Sequence, residues 1–188
     1  MSNREALREL QGRLASRMQA ARTEARVQSW LAVECAGQGV LFPLHEAGEI
    51  FSVGSVLPVP HTQPWFAGVA NLRGGLHAVV DLALFLGLQR GPAPLAGDGS
   101  RDQARLLALN PSLGVNCALL VDKLAGLRNA DQLSPEPAEG ANGQRPAFAG
   151  ARWRDADGRV WQEIELSALA GHQQFLGVAD AMPALRPA

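Results

Sequence analysis

The chain has 188 residues, 47% of them apolar, and its 17 basic residues nearly balance its 18 acidic ones. Enough apolar residues are present for a buried core, whereas a chain without a concentrated positive surface is a poor candidate for nucleic acid binding. No run approaches the roughly 18 apolar residues that span a bilayer, so the sequence predicts a cytoplasmic protein without direct membrane insertion.

The cysteines and histidines give no sign of a metal centre. Cys35 and Cys117 lie in apolar runs, which is typical of buried thiols in a reducing cytosol. No CxxC pair is present, and no His/Cys cluster has the spacing of metal ligands. The sequence therefore predicts no metal and no cofactor.

The first 28 residues are predicted to form a helical extension. Between residues 3 and 26, apolar side chains recur at helical spacing on one stripe, and arginines occupy the other sides. The stripe consists of Leu7, Leu10, Leu14, Met18, Ala21 and Ala25. Such a narrow stripe must dock to be stable, either on its own domain, on a partner or on a second copy of the chain.

From residue 29 onward the pattern is that of strands. Segments 30–35 and 40–44 flank Gly37-Gln38-Gly39, which predicts a hairpin. A short helix is predicted for residues 45–51. Proline-rich, extended chain follows over residues 58–65.

A second hairpin is the clearest local signal. Strands are predicted over 66–72 and 76–80, with a turn at Arg73-Gly74-Gly75. Asp81 is expected to cap a short helix that runs through residue 86 and stops at Gly87.

The rest of the chain repeats this alternation. Residues 89–103 and 134–147 are predicted to be flexible, because they are rich in Pro, Gly and polar residues. The predicted elements are strands at 105–109 and 115–121, a helical piece at 122–127, a hairpin of 148–154 and 159–166, and a helix at 167–176. Ser167 is the expected cap of the last helix, and residues 177–188 form a tail.

The pattern indicates a weak internal duplication. Phe66-Ala67-Gly68 opens one hairpin, and Phe148-Ala149-Gly150 opens another 82 residues later. This repeat predicts two similar small β units. Each is expected to close into a small barrel, because closure leaves no exposed sheet edge. Units of this size are marginal alone, so the two should pack together, with a groove between them as a docking site.

No catalytic set is evident. The four histidines lie far apart, and no nucleophile elbow, P-loop or dinucleotide motif is present. Two alternatives to a binding module stay open: a β-barrel that holds a small molecule between its units, and a hydrolase that uses Asp81 and Glu49. The second would require both carboxylates to converge in one pocket.

The segment 65–82 resembles the CheW family of chemotaxis coupling proteins. The resemblance rests on Gly68-Val69, Leu72-Arg73-Gly74 and Val79-Val80-Asp81-Leu82, together with Glu49-Ile50 upstream. It covers residues 29–176. Within the family, the chain most resembles the proteins that serve twitching motility and type IV pili. The matching features are Val27-Gln28-Ser29-Trp30, Gly68-Val69-Ala70-Asn71, and His172-Gln173 with Phe175-Leu176. Glu163-Ile164-Glu165 departs from the apolar run that is usual in the family.

This resemblance implies a mainly β fold of two five-stranded, antiparallel, SH3-like barrels packed together. It implies a non-catalytic adaptor that joins the cytoplasmic tip of a methyl-accepting chemoreceptor to the CheW-like regulatory domain of a CheA-type histidine kinase. Carried over by motif, Glu49 and Arg73 form a salt bridge at the receptor-facing groove, which Ala47 and Gly68 line. Asn71, in the same hairpin, is the fifth expected interaction residue.

Overall fold

The computed structural model describes residues 28–89, 102–137 and 145–179. Within these ranges the chain forms eleven strands in two sheets and a few short helices, so the predicted mainly β class is confirmed. The predicted N-terminal helix, most of the first flexible segment and the tail beyond residue 179 lie outside the described residues.

The strands are β1 (Ser29–Cys35), β2 (Gln38–Pro43), β3 (Ala47–Ser52), β4 (Phe66–Leu72), β5 (Gly75–Asp81), β6 (Arg105–Leu109), β7 (Cys117–Val121), β8 (Lys123–Asn129), β9 (Leu133–Pro135), β10 (Ala149–Asp155) and β11 (Val160–Ile164). The helices are α1 (Leu82–Phe85), α2 (Leu166–Ala170) and α3 (Gln173–Leu176), with 3-10 turns at Pro111–Leu113 and Ala130–Gln132.

The two sheets repeat one strand order. The six-stranded sheet runs β8-β1-β2-β11-β10-β9, and the five-stranded sheet runs β3-β6-β7-β5-β4. Apart from the short β9, each strand of the first sheet therefore has a counterpart in the second. This agrees with the predicted duplication. Unlike the expected all-antiparallel units, each sheet contains one parallel pair, β2 with β11 and β5 with β7.

The two units exchange a strand. Strand β3 follows β2 but pairs with β6, and β8 follows β7 but pairs with β1. The helices predicted at 45–51 and 122–127 are wrong, because these segments are β3 and β8. Each completes the edge of the other unit's sheet, and backbone pairing there outweighs a local pattern that favours a helix.

The interior has three parts. A shared core lies between the sheets and includes Phe42, Leu107, Leu119 and Leu166. A second cluster belongs to the five-stranded sheet and lies around Leu72, Leu106 and Leu120. The third fills the six-stranded sheet and contains Trp30, Leu41, Leu133 and Trp161. This arrangement matches two small barrels packed around a shared interior.

Several local predictions are confirmed. Asp81 caps α1, because its Oδ1 accepts a hydrogen bond from the Leu84 backbone N–H at 3.1 Å. Gly87 follows the helix with φ of 68°. Both cysteines are buried, and burial raises the pKa of the Cys117 thiol to about 12.

The C-terminal region differs from the prediction. In place of one helix over 167–176, α2 and α3 are separate, and α2 begins at Leu166. Ser167 is not the cap: its hydroxyl donates to Glu46 Oε1 at 2.6 Å. Glu46 Oε2 accepts from the Leu166 N–H at 2.7 Å, so a carboxylate from the β2–β3 connection binds the start of α2. Of the segment predicted to be flexible, 134–147, the first two residues lie in β9, and residues 138–144 lie outside the described residues.

Two further findings concern the described ranges only. No helix there is long and apolar enough to cross a membrane. Nor do these residues contain a group of three or more His, Cys, Asp or Glu side chains arranged to hold a metal ion.

Candidate functional site

The candidate site lies where the five-stranded sheet closes on itself. Strands β3 and β4 are its opposite edges, yet Glu49 Oε1 of β3 lies 2.7 Å from Arg73 Nη1, at the end of β4. Leu57, which follows β3, forms a two-way backbone bridge with Val69 of β4, with both N···O distances 2.8 Å. One ion pair and one bridge therefore join the two edges at a seam.

Gly68 is the residue that permits this closure. Its φ is 132°, which disfavours any residue with a side chain. A Cβ at this position would lie 2.1 Å from the Leu57 carbonyl oxygen. A side chain here would push the Leu57 segment away from β4, so the seam depends on glycine.

The β4–β5 turn holds Arg73 in a defined position. Arg73 and Gly74 have φ values of 49° and 82°, as in the two-residue turn that suits a twisted hairpin. Asn71 Oδ1 accepts the Gly74 N–H at 2.8 Å. Arg73 thus adopts a left-handed conformation that is uncommon for arginine, and such conformations often occur at functional positions.

A bulge in β3 presents Glu49. Ala47 pairs with Leu109 and Ile50 with Leu107, so Gly48 and Glu49 together oppose Ala108. A Cβ on Gly48 would lie 2.8 Å from the Ala108 carbonyl oxygen. The extra residue turns Glu49 outward to Arg73, and Ala47 packs against the shared core.

The ion pair is exposed and has apolar neighbours. The side chain of Arg73 is 75% exposed and that of Glu49 51%. Leu76 pairs across the hairpin with Asn71 and is 66% exposed, while Leu57 is 65% and Ile50 41% exposed. We call Glu49, Ile50, Leu57, Asn71, Arg73 and Leu76 the seam surface. Exposed aliphatic side chains around a fixed charge are typical of a protein-binding surface.

The structure places the five expected site residues in three different positions. Glu49, Asn71 and Arg73 contribute to the surface itself, Gly68 holds the chain beneath it, and Ala47 lies beside the bulge. Their role in binding stays a prediction. Sequence reasoning missed Leu57 and Leu76, although the alternation of the hairpin places Leu76 on the same face as Ala78 and Val80.

The geometry does not join the two carboxylates of the hydrolase alternative. Asp81 is 3% exposed and occupied as a helix cap, whereas Glu49 pairs with an arginine. Asp81 ends β5 and Arg73 precedes its start, and a strand of seven residues spans about 20 Å. A shared pocket for both acids is therefore absent from the described residues.

Comparison with known proteins agrees with this fold. The family model described as the CheW-like domain matches residues 29–174. The chain belongs to the CheW-like domain family.

Two known proteins are similar over most of the chain. Protein PilI of Pseudomonas aeruginosa is 33% identical over 159 residues, which cover 81% of this chain and 82% of PilI. The crystal structure of the scaffolding protein TtCheW from Thermoanaerobacter tengcongensis superposes with a TM-score of 0.57. That match covers 73% of this chain and 88% of TtCheW at 20% identity, so it supports the fold alone.

Proposed function

We propose that this CheW-like protein is a non-catalytic coupling protein of a bacterial chemosensory system. It binds the cytoplasmic tip of a methyl-accepting chemoreceptor and the CheW-like regulatory domain of a CheA-type histidine kinase. The similarity to PilI supports a system that controls twitching motility by type IV pili. The protein acts in the cytoplasm and is recruited to receptor arrays at the membrane.

The seam surface is the observation that carries the receptor-binding half of this proposal. Arg73 is held by its turn and by Glu49, so little conformational entropy is lost when it meets a partner. Leu57 and Leu76, which also belong to the seam surface, offer exposed apolar area. A receptor tip with apolar side chains beside an acidic one can place the apolar side chains on the leucines and the carboxylate against Arg73.

Coupling follows from simultaneous binding. When one molecule holds receptor and kinase, the second binding event takes place at a high effective concentration, and no chemical step is needed. Each contact is expected to bury on the order of 1,000 Å², as transient signalling contacts do. Signals then pass as changes in the relative position of the two partners.

The experiment that tests this is charge reversal at the seam. Arg73→Asp places a second acid beside Glu49, and we expect the affinity for a purified receptor cytoplasmic fragment to fall about thirtyfold. Glu49→Arg in the same chain restores the pair in reverse and should recover part of the loss. Binding is measured by calorimetry with and without the kinase domain.

A matched control is available on the other sheet. Arg154 pairs with Glu136 at 2.6 Å, so Arg154→Asp breaks an equally short surface pair away from the seam. Receptor affinity should remain within about twofold of the unaltered protein, as is usual for surface pairs outside an interface. If both variants lost the same affinity for the receptor fragment, or if Arg73→Asp lost none, the seam surface would not be the receptor-binding site.

A further inference from the structure

Glu46 joins three elements that are far apart in the chain. Its Oε2 accepts hydrogen bonds from the backbone N–H groups of Leu166 at 2.7 Å and Ser167 at 3.2 Å. Its Oε1 accepts a hydrogen bond from the Ser167 hydroxyl at 2.6 Å. The Glu46 carbonyl oxygen accepts the Asn110 backbone N–H at 3.0 Å. One residue therefore ties the β2–β3 connection to the end of β6 and to the start of α2.

The contacts of the Glu46 carboxylate are largely shielded from water. Its side chain is 13% exposed, compared with 51% for Glu49 three residues later. The neighbouring His45 side chain is mostly in solvent, with its Nε2 4.0 Å from Glu46 Oε1. Hydrogen bonds to a carboxylate are stronger than neutral ones, and a water-poor environment strengthens them further. The contact between Glu46 and α2 is therefore expected to be rigid.

This contact lies immediately before the bulge that presents Glu49. The register of β3 shifts between Ala47 and Ile50, and the extra residue of a bulge has no pairing partner of its own. The position of Glu49 therefore depends on what fixes the strand on either side. Ile50 resumes the pairing with β6, and Glu46 fixes the chain before the bulge. Because three strand residues span about 10 Å, Glu46 can act on the seam only through the backbone of β3.

We infer that Glu46 is a positioning residue for the seam surface. By anchoring the start of β3 to α2, it fixes the direction in which the bulge presents Glu49, and hence the place of the Arg73 guanidinium that Glu49 binds. Strand β3 belongs to the five-stranded sheet, whereas α2 follows β11 of the six-stranded sheet, so the seam depends on both units. The effect on receptor binding rests on the proposed function, but the positioning of Glu49 and Arg73 does not.

Positioning is tested first, in the full chain without a partner. In Glu46→Ala the donors at the start of α2 lose their acceptor, so the bulge should gain motion. The NMR order parameter of the Glu49 amide should fall from about 0.85 toward about 0.6, and that of the Arg73 Nε–H should fall with it. Ser167→Ala removes only the hydroxyl contact and should give a smaller decrease. Unchanged order parameters in Glu46→Ala, or in Ser167→Ala should the first variant not fold, would overturn the inference.

The matched control is Asp122→Ala. Asp122 lies in the β7–β8 connection, the counterpart of the β2–β3 connection, and its Oδ2 accepts the Ala36 backbone N–H at 2.6 Å. This carboxylate anchors the chain before the edge strand of the other sheet. The variant should lower the denaturation midpoint and leave the order parameters of Glu49 and Arg73 unchanged. An equal decrease in Asp122→Ala would indicate a general loosening of the protein and would also overturn the inference.

Receptor binding then separates the positioning from the proposed function. Glu46→Ala should weaken binding of the receptor cytoplasmic fragment about fivefold. In a chain that already carries Arg73→Ala it should add less than about twofold, because both changes act through the same ion pair. Fully additive losses would contradict the inference, since Glu46 would then affect binding by another route. Lowered order parameters with unchanged receptor affinity would support the positioning and count against the seam as the receptor site.

Discussion

The two sheets share one topology but use their polar residues in opposite ways. In the five-stranded sheet, Glu49 and Arg73 form an ion pair at the surface. In the six-stranded sheet, Glu163 points inward and accepts the indole N–H groups of Trp30 at 2.7 Å and Trp153 at 3.2 Å. Glu49 and Arg73 thus present charge at the surface of one unit, whereas Glu163 organises the interior of the other.

The corresponding edge strands show the same contrast. Each edge strand has a bulge at the same place. In β8, Leu124 pairs with Val33 and Leu127 pairs with Leu31, with two residues between them. In β3, Ala47 pairs with Leu109 and Ile50 pairs with Leu107, again with two residues between them. By this register the counterpart of Glu49 is Gly126. The second unit therefore has no acid at the bulge to meet an arginine from its hairpin.

Other contacts reinforce the interior of the six-stranded sheet. The Trp161 indole N–H donates a hydrogen bond to Asp155 Oδ2 at 2.8 Å. The guanidinium of Arg159 lies over the Trp161 ring, with its Cζ atom 4.6 Å from the ring centre. Arg159 also pairs with Glu34 at 2.7 Å. After a duplication, one copy can supply rigidity while the other keeps an exposed charged pair, and substitutions should separate these roles.

The largest effect is expected at the seam glycine. In Gly68→Val the new side chain would clash with the Leu57 carbonyl group, and valine would have to adopt a positive φ that strains its backbone. The free energy of unfolding should therefore fall by about 3 kcal/mol or more. Chemical denaturation measures this. Gly74→Ala is the control: φ is 82° but nothing lies within 4 Å, so only about 1 kcal/mol of strain is expected. Similar losses in both would mean that the close approach is unimportant.

Glu163→Ala should have the next largest effect. The change leaves two indole N–H groups without their acceptor inside the six-stranded sheet, at a cost of about 2 kcal/mol, and shifts tryptophan fluorescence. Glu165→Ala provides the comparison, because Glu165 is exposed and makes no side-chain cap to α2. An unchanged denaturation midpoint for Glu163→Ala would contradict the inward role of this carboxylate.

Acid should weaken the six-stranded sheet through Asp155. Burial raises the pKa of this carboxyl, but hydrogen bonds from Trp161 and from the Arg159 and Asp157 backbones outweigh it, so the pKa lies below its ordinary 3.8. A lowered folded-state pKa contributes stability above pH 3.8, and that stability is lost as pH falls through the folded value. Asp155→Asn should reduce the loss of stability at acid pH. Unfolding at each pH can be monitored by tryptophan fluorescence. A pH profile identical to that of the unaltered protein would exclude Asp155 as its source.

Arg73→Ala should have the smallest effect on stability and so sharpen the comparison. The pair with Glu49 is largely exposed, and exposed pairs contribute about 0–1 kcal/mol to folding. Denaturation should therefore barely change while receptor binding weakens. A loss as large as that of Glu163→Ala would instead make the pair a structural element like those of the other sheet.

Local signals explain what could be predicted. The hairpin of β4 and β5, its turn at Arg73 and Gly74, and the Asp81 cap each depend on residues within a few positions of one another. The Glu49–Arg73 pair came from resemblance to a family motif, since no spacing rule joins residues 24 positions apart. Leu57 was missed because its bridge partner, Val69, lies beyond a proline-rich segment without strand alternation.

The sequence by itself determined the β class, the repeat, the pairing of strands that are neighbours in the chain (β1–β2, β4–β5, β6–β7 and β10–β11) and the close backbone approach at Gly68. Only the tertiary structure decided that β3 and β8 are strands, that each completes the other unit, and that Glu163 serves two tryptophans. Those features depend on backbone and side-chain partners far away in the chain. A short segment such as 45–51 can satisfy its hydrogen bonds as a helix or an edge strand, and the available edge of β6 selects the strand.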